Sequence, residues 1–421
     1  MSKNSRLIAL NACLGNLFEH YDTALFSLLS PFLATQFFPN HNPLTALILT
    51  YAIIPLGIII RPIGSLVFGY VGDVYGRKSA LFISLIGMAL VSILMGLLPT
   101  YNHVGVLAPI FLSIGKLFQN FFGAGEVVGG AIYLIENTEK KHQNIMSGIY
   151  SSSTIAGILL ASAGVALLST FDLIDNGWRF LYFFGCLTAC FGCIIRFKVG
   201  YAEPEVTPKK EFLKNVFQSI WKMRIVFFMI AIASGFSYAT YSMAFIMING
   251  LIPFVSEMTY TQVMHLNTVL LIVDLLLLPF FGLLANRFSI EKLMLSSALV
   301  AMLGGIPLFL LLEQATFFMI IFVRLCLVII GVWFSATFYS WSQQLVPQAM
   351  RYTIISLAYA IGSQLFGAPT SVISLWCYQQ TGMISSVCWY WVFLGTIFSF
   401  VFFKQYVKTT SNVRPLGSTI I

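Results

Sequence analysis

Runs of about 20 apolar residues recur along the 421-residue chain, and they limit its fold more than any other feature. A helix of that length crosses the hydrocarbon core of a bilayer. Membrane-spanning strands would instead need sustained alternation of polar and apolar residues, which the sequence does not show. Only 9% of the residues are charged, whereas a soluble domain has roughly a quarter. The sequence therefore predicts an all-α polytopic membrane protein.

Twelve apolar runs are predicted to form the membrane-spanning helices. Turn-forming segments such as Pro39 to Pro43 and Asp172 to Gly177 separate them. The runs cover residues 8–38, 44–71, 80–99, 104–135, 144–170, 178–199, 224–252, 262–286, 292–312, 315–345, 352–376 and 385–406.

Basic residues are distributed very unevenly between the two sides of these predicted helices. Nineteen of the 23 Lys and Arg residues fall on the side of the termini, whereas Arg179 alone falls on the other side. The remaining three lie within spans. Because cytoplasmic loops attract Lys and Arg, both termini are predicted to be cytoplasmic. This bias explains the net charge of +8 without a nucleic-acid partner.

A polar, charge-rich segment at residues 200–223 divides the chain into two predicted six-helix bundles, at 1–199 and 224–421. A faint repeat relates them. Residues 69–78 read GYVGDVYGRK after the second run, and residues 282–292 read GLLANRFSIEK after the eighth, an offset of 213 residues. A parallel repeat of two bundles is an architecture of transporters.

Seven charged residues lie inside the predicted spans, where each costs about 2.5–3.5 kcal/mol on insertion scales. A single charge of this kind can be paired with another for helix packing or can lie near a helix end. Seven such charges together favour a polar cavity. The seven candidates for proton coupling and substrate binding are Glu19, Asp22, Arg61, Lys116, Glu126, Asp274 and Arg324.

Two acidic residues in the first span are three positions apart. Glu19 and Asp22 are close enough on a helix to interact, and one of two neighbouring carboxylates in a low dielectric is expected to hold a proton. His20 is either a further titrating group or a structural residue at a helix kink.

The fourth predicted span carries a polar stripe. Lys116, Gln119, Gly123, Glu126 and Gly130 follow each other at spacings of 3, 4, 3 and 4, which place them on one face of a continuous helix. Such a face is expected to line a cavity or a close neighbour. Gln119 therefore joins Lys116 and Glu126 as a candidate site residue.

The segment GYVGDVYGRK contains residues that could form a reversible gate at the cytoplasmic side. Its glycines allow a neighbouring helix to approach closely, and its acid can pair with a helix N-terminus or a nearby Arg. The predicted gating residues in this segment are Gly69, Asp73, Gly76, Arg77 and Lys78.

These motifs resemble the major facilitator superfamily, whose signature loop between helices two and three is similar to GYVGDVYGRK. Residues 15–39, 59–81, 115–137 and 351–376 resemble the first, second, fourth and eleventh helices of its metabolite:proton symporter family. That family includes carriers of proline and betaine, dicarboxylates, citrate and shikimate, and the proline/betaine branch is the nearest. The resemblance implies the major facilitator fold, a proton gradient as energy source and no cofactor.

The resemblance assigns expected roles position by position. Glu19 and Asp22 match the acidic pair of the family's first helix, and Arg61 matches the Arg of its R-P-x-G motif. Gln119 and Glu126 match the fourth-helix motif. Glu136 matches the acid at the cytoplasmic end of that helix and joins the predicted gate.

Some positions depart from the family pattern around the expected cavity. His20 stands where the family usually has Trp, and Thr23 stands where it usually has Phe. In the second-half motif, Asn286 replaces an acid.

The favoured function is secondary transport of a small polar metabolite with protons, by alternating access. A dicarboxylate or other organic-acid symporter and a uniporter or exchanger of the same fold remain alternatives. An integral-membrane enzyme is disfavoured because the five histidines are scattered and no nucleophile or metal motif is present. The expected setting is a bacterial inner membrane, as a monomer in the bilayer, without a metal.

The charges within the spans suggest a substrate. Four acids and three bases give a net charge of −1, which one bound proton brings to zero. A balanced cavity suits a zwitterion, whose carboxylate could meet Arg61 or Lys116. We therefore expect a proline- or betaine-like zwitterion rather than a citrate-like trianion, which would need more positive charge.

Overall fold

The computed structural model describes residues 3–39, 42–74, 77–125, 127–198, 217–218, 220–314, 316–348 and 351–412. These residues are helical almost throughout, and none of them forms a strand. By length and composition, seven helical segments of the described chain could each cross a membrane. Residues 82–96 form a shorter apolar helix.

Six spans make up the first half. Span 1 is Lys3–Phe37, span 3 is Arg77–Gly96, span 5 is Gln143–Thr170 and span 6 is Ile174–Lys198. Span 2 joins Pro43–Tyr51, the 3-10 turn Ile54–Leu56 and Gly57–Val74. Span 4 joins Leu107–Gly123 and Val127–Glu136, after the short helix Tyr101–Val104. The 3-10 turn Lys140–His142 precedes span 5.

Six spans also make up the second half. Span 7 joins Arg224–Tyr241, the π-helical Ser242–Met247 and Ile248–Val255. Spans 8 and 9 are Tyr260–Leu284 and Ile290–Leu310, the latter extended by the 3-10 turn Leu311–Gln314. Span 10 joins Phe317–Ser335 and Phe338–Leu345. Span 11 joins Arg351–Gly362, the π-helical Ser363–Gly367 and Thr370–Thr381. Span 12 is Trp389–Asn412, after the 3-10 turn Ile384–Cys388.

Consecutive spans run in opposite directions, so span 1 begins and span 12 ends on one face, here called the terminal face. The other face is called the opposite face. Most of the predicted linker at 200–223 lies outside the described residues, and the predicted division into halves stays a prediction.

Several helix ends follow directly from the local sequence. Asn42 accepts hydrogen bonds from the first turn of span 2, which begins with Pro43, as a cap followed by Pro does. Thr259 and Gln262 form a reciprocal capping box at the start of span 8. Gly382 ends span 11 with a φ of +68°, a conformation that glycine adopts without strain.

Span 4 differs from its prediction as one continuous helix. The chain turns at Ala124 and Gly125, and Glu126 lies outside the described residues. Lys116 and Gly130 therefore belong to two helices, Leu107–Gly123 and Val127–Glu136, and their position on one face stays a prediction.

The halves pack most closely where glycines bring backbones together. A Cβ on Gly148 of span 5 would lie 2.6 Å from the Leu278 carbonyl of span 8. A Cβ on Gly282 of span 8 would lie 2.8 Å from the Asn144 carbonyl of span 5. Spans 2 and 11 form a second contact between the halves. The two contacts flank a central space.

Candidate substrate cavity

A cavity of about 150 Å³ lies between the two halves. Spans 1, 2 and 5 line it from one half, and spans 7, 8, 10 and 11 line it from the other. Its polar lining includes His20, Thr23, Arg61, Ser151, Thr154, Ser237, Tyr238, Tyr241, Asp274, Ser335, Tyr339 and Tyr359. Most of the remaining lining residues are apolar, and a space of this size with some polar groups suits a small solute.

Contacts between the halves close the cavity towards the terminal face. Arg351 Nη1 of span 11 lies 2.8 Å from Glu136 Oε1 at the end of span 4. The Asn144 side-chain amide donates to Asn286 Oδ1 at 3.1 Å, which joins spans 5 and 8. Asn286, the residue that replaces an acid, therefore bonds to a neutral partner.

Different contacts close the cavity towards the opposite face. The Tyr260 hydroxyl donates to the Leu28 carbonyl at 2.6 Å, and the Tyr51 hydroxyl donates to the Ile246 carbonyl at 3.0 Å. Both bonds join the halves and involve no charged group. The halves are thus in contact on both sides of the cavity.

A charged unit lies on the first-half wall. Arg61 lines the cavity, and its Nη2 lies 3.7 Å from Glu19 Oε1. Glu19 is buried behind the lining, and its Oε2 lies 2.8 Å from Nδ1 of His20, which does line the cavity. Thr23 donates to Glu19 at 3.4 Å. This unit can exchange a proton and can bind an anion.

Asp22 and Lys116 are buried in the first half away from the cavity lining. Lys116 Nζ donates to Gln119 Oε1 at 2.7 Å and to the Thr23 carbonyl at 3.3 Å. The Gln119 amide donates to the Asp22 carbonyl at 2.9 Å. Gln119 therefore links spans 1 and 4 and does not line the cavity. The Asp22 carboxylate packs on Gly185 of span 6.

Asp274 of span 8 is a charged residue that lines the cavity from the second half of the chain. It is 94% buried. Its carboxylate makes no ion pair or hydrogen bond with any described residue. Tyr241 also lines the cavity, near enough to Asp274 to interact electrostatically with it. An unpaired buried carboxylate is costly, so a cationic ligand group or a proton is expected to neutralise it.

Arg324 does not line the cavity. Its Nη2 donates to the side-chain oxygens of Asn267 and Asn249 at 2.7 and 2.9 Å, and to the Ala244 carbonyl at 3.3 Å. The side chain is fully buried. Arg324 therefore holds span 10 against spans 7 and 8.

These placements correct the expectation that the charges share one cavity. Of the six span charges that the structure describes, only Arg61 and Asp274 line the cavity. The described charged lining of the cavity therefore consists of one cation, Arg61, and one acid, Asp274, and Glu19 lies behind Arg61. The position of a residue in an apolar helix predicts that it is buried, but it does not predict which side chain it contacts. The sequence therefore could not show which of the charges line the cavity.

The predicted gate is described only in part. Residues 75 and 76 lie outside the described residues, as do the side chains of Asp73, Arg77 and Lys78 and the surroundings of Gly69. Glu136 is described, and it pairs with Arg351. Sequence reasoning placed Arg351 only in a basic loop, because the partner lies in the other half.

Sequence reasoning also missed a group of tyrosines. Tyr238, Tyr241, Tyr339 and Tyr359 line the cavity from three spans of the second half. A local signal was present in SGFSYATY at 234–241, where hydroxyl groups are unusually dense for a membrane helix. The other two are scattered among many aromatic residues, so that no local pattern distinguishes them.

Cysteine and metal chemistry have little support in the described chain. No disulfide bond involves Cys13, Cys326, Cys377 or Cys388 in the described chain. Among the residues that the structure describes, no three His, Cys, Asp or Glu side chains could hold a metal ion together.

Comparison with known proteins gives consistent results. The family described as "Sugar (and other) transporter" matches residues 8–201. The citrate-proton symporter of Klebsiella pneumoniae is 28% identical over 91% of this chain and 87% of its own length. The proline/betaine transporter of Escherichia coli is 25% identical over 97% of this chain and 84% of its own length.

A solved structure supports the same fold. The xylose transporter XylE of Escherichia coli, in a partially occluded inward-open conformation, superposes with a TM-score of 0.75 at 16% identity. The superposition covers 96% of this chain and 98% of that one.

Two helical bundles around a closed polar cavity define a secondary transporter of the membrane. The predicted resemblance to the major facilitator superfamily is confirmed by the sequence matches, and the superposition on XylE shows the same fold.

Proposed function

We propose that the protein is a proton symporter of a small zwitterion, with both termini in the cytoplasm of a bacterium and with the monomer as transporting unit. The observation that carries the proposal is the pair of opposite charges, Arg61 and Asp274, on opposite halves of one cavity. A ligand that bridges them stabilises the closed arrangement of the halves, as alternating access requires.

Competition for Arg61 supplies the coupling. An Arg guanidinium does not release its proton, whereas a carboxylate can accept one. When Glu19 is ionised, its charge 3.7 Å away competes with a substrate carboxylate for Arg61. Coulomb attraction at that separation is about 4 kcal/mol at an effective dielectric of 20. Protonation of Glu19 removes this competition, so that proton and substrate bind together.

The cavity charges favour a zwitterion over a multivalent anion. Arg61 accepts the carboxylate end, and Asp274 with Tyr241 accepts the cationic end, through ion pairing and contact with an aromatic face. A citrate-like trianion would meet Asp274 with like charge. The relative named as a proline/betaine transporter agrees with this preference.

Uptake by purified protein in proteoliposomes tests the proposal. Labelled proline or betaine should accumulate when an inward proton gradient is imposed, and excess citrate or 2-oxoglutarate should compete poorly. Asp274→Asn should lower zwitterion affinity by about tenfold or more, the value of a charge-assisted contact. Asp175→Asn changes an exposed acid on the opposite face and is the matched control.

Two results would contradict the assignment. Absence of zwitterion uptake together with saturable citrate uptake would favour an organic-acid symporter, as the Klebsiella relative is named. Equal uptake with and without the proton gradient would instead indicate a uniporter or an exchanger.

A further inference from the structure

Glu19, the proton acceptor of the proposed coupling, does not itself line the cavity. Its side chain is 99% buried, and three of the side chains that contact it, His20, Thr23 and Arg61, line the cavity. A proton that travels between the cavity and Glu19 has to pass one of these side chains. Arg61 holds its protons too tightly to relay them, and the Thr23 hydroxyl lies 3.4 Å from Glu19 Oε1, farther than the 2.8 Å between His20 Nδ1 and Glu19 Oε2.

His20 has the geometry of a relay. Nδ1 lies 2.8 Å from Glu19 Oε2 and 2.8 Å from the Asn16 carbonyl. No described residue bonds to Nε2, and His20 lines the cavity. The side chain keeps 13% of its surface exposed although Glu19 keeps only 1%. The ring thus has one nitrogen within 2.8 Å of the acid and lies between that acid and the cavity.

We propose that His20 carries protons between the cavity and Glu19, an inference that rests on the proton-coupled function proposed above. With the proton on Nδ1, the lone pair of Nε2 accepts a proton from cavity water. The resulting imidazolium then passes the Nδ1 proton to Glu19 Oε2. One proton enters at Nε2 and one leaves at Nδ1, so that the ring returns to neutrality as its other tautomer. The reverse sequence releases the proton.

The other groups around His20 leave this route open. The charged or titratable groups around this region are Glu19 on the same span, Arg61 on span 2, Tyr238 and Tyr241 on span 7, Asp274 on span 8, Tyr339 on span 10 and Tyr359 on span 11. Span 5 contributes the hydroxyls of Ser151 and Thr154.

The test separates proton-driven accumulation from substrate exchange in proteoliposomes. His20→Gln keeps a polar side chain that cannot relay a proton. Accumulation under a proton gradient should fall about 100-fold, the lower end of general acid–base effects, and the dependence of accumulation on pH should flatten. Exchange of internal for external substrate should fall less than accumulation does, because exchange needs no net proton transfer. Added imidazole should partly restore accumulation.

His265→Gln is the matched control, because His265 lies near the opposite face and bonds to Thr170 at 2.9 Å. Its pH profile should match that of the unchanged protein. His20→Trp provides a second, larger non-titrating side chain if the first variant folds poorly.

The outcomes are distinguishable. Unchanged accumulation and an unchanged pH profile in His20→Gln would overturn the relay. Equal loss of exchange and accumulation in both variants, without imidazole rescue, would also overturn it and assign His20 a structural role. If the unchanged protein shows no dependence on the proton gradient, the proposed symport itself fails, whatever His20 does.

Discussion

The ion pair between Glu136 and Arg351 is predicted to hold the terminal face closed. It joins span 4 to span 11 at 2.8 Å, and both side chains keep about a fifth of their surface exposed. A charge-assisted hydrogen bond contributes about 1.5–3 kcal/mol when buried, and an exposed pair contributes about 0–1 kcal/mol. For this pair, which is about one-fifth exposed, we take about 1 kcal/mol. Glu136→Gln should then shift the equilibrium between closed and open terminal face about fivefold towards open.

The shift can be measured by the alkylation rate of one cysteine in an otherwise cysteine-free protein. Ser335→Cys lines the cavity, and a thiol reagent applied from the terminal face should react about fivefold faster when Glu136 is Gln. Glu139→Gln is the control, because Glu139 pairs with Lys141 at 3.0 Å without joining the halves. The exchanged pair Glu136→Arg with Arg351→Glu should restore the slow rate.

An unchanged alkylation rate in Glu136→Gln would refute the gating argument. An equal change in the Glu139 control would refute it as well, since the effect would then come from surface charge and not from the contact between halves.

Three further predictions concern other parts of the chain. Arg324→Ala should lower the free energy of unfolding in detergent by about 2–4 kcal/mol, because it leaves buried amide oxygens without donors. The control Arg287→Gln, at an exposed position, should not lower it, and equal stability of the two variants would contradict the bracing role. Glu205→Cys should stay unlabelled by an impermeant thiol reagent added outside intact cells, and labelling there would reject the predicted topology. Glu126→Gln should abolish proton-driven accumulation but retain some exchange, as the fourth-helix motif implies, and normal accumulation would exclude that role.

Elements that depend on solvent and local geometry could be predicted from the sequence. The apolar runs correspond closely to the spans, because a bilayer requires about 20 residues per helix and internally satisfied backbone groups. Caps such as Asn42 before Pro43 fix helix ends through bonds within a few residues. The motifs around Arg61 and Asp73 indicate the superfamily from the sequence alone.

Interactions between distant spans could not be predicted in this way. Glu136 meets Arg351 across 215 positions of sequence, and no local pattern encodes that distance. The end of the helix Leu107–Gly123 within the fourth predicted span also has no distinct signal in the sequence.

The sequence by itself determined that this chain is a twelve-span transporter with costly charges inside its helices. Only the tertiary structure decided that Arg61 and Asp274 face the cavity, that Glu19 lies behind it and that Arg324 is bonded within the second half. The physical reason is that burial of a charge follows from its position in an apolar run. Its partner depends instead on how the helices rotate and pack against one another, which is a property of the assembled bundles.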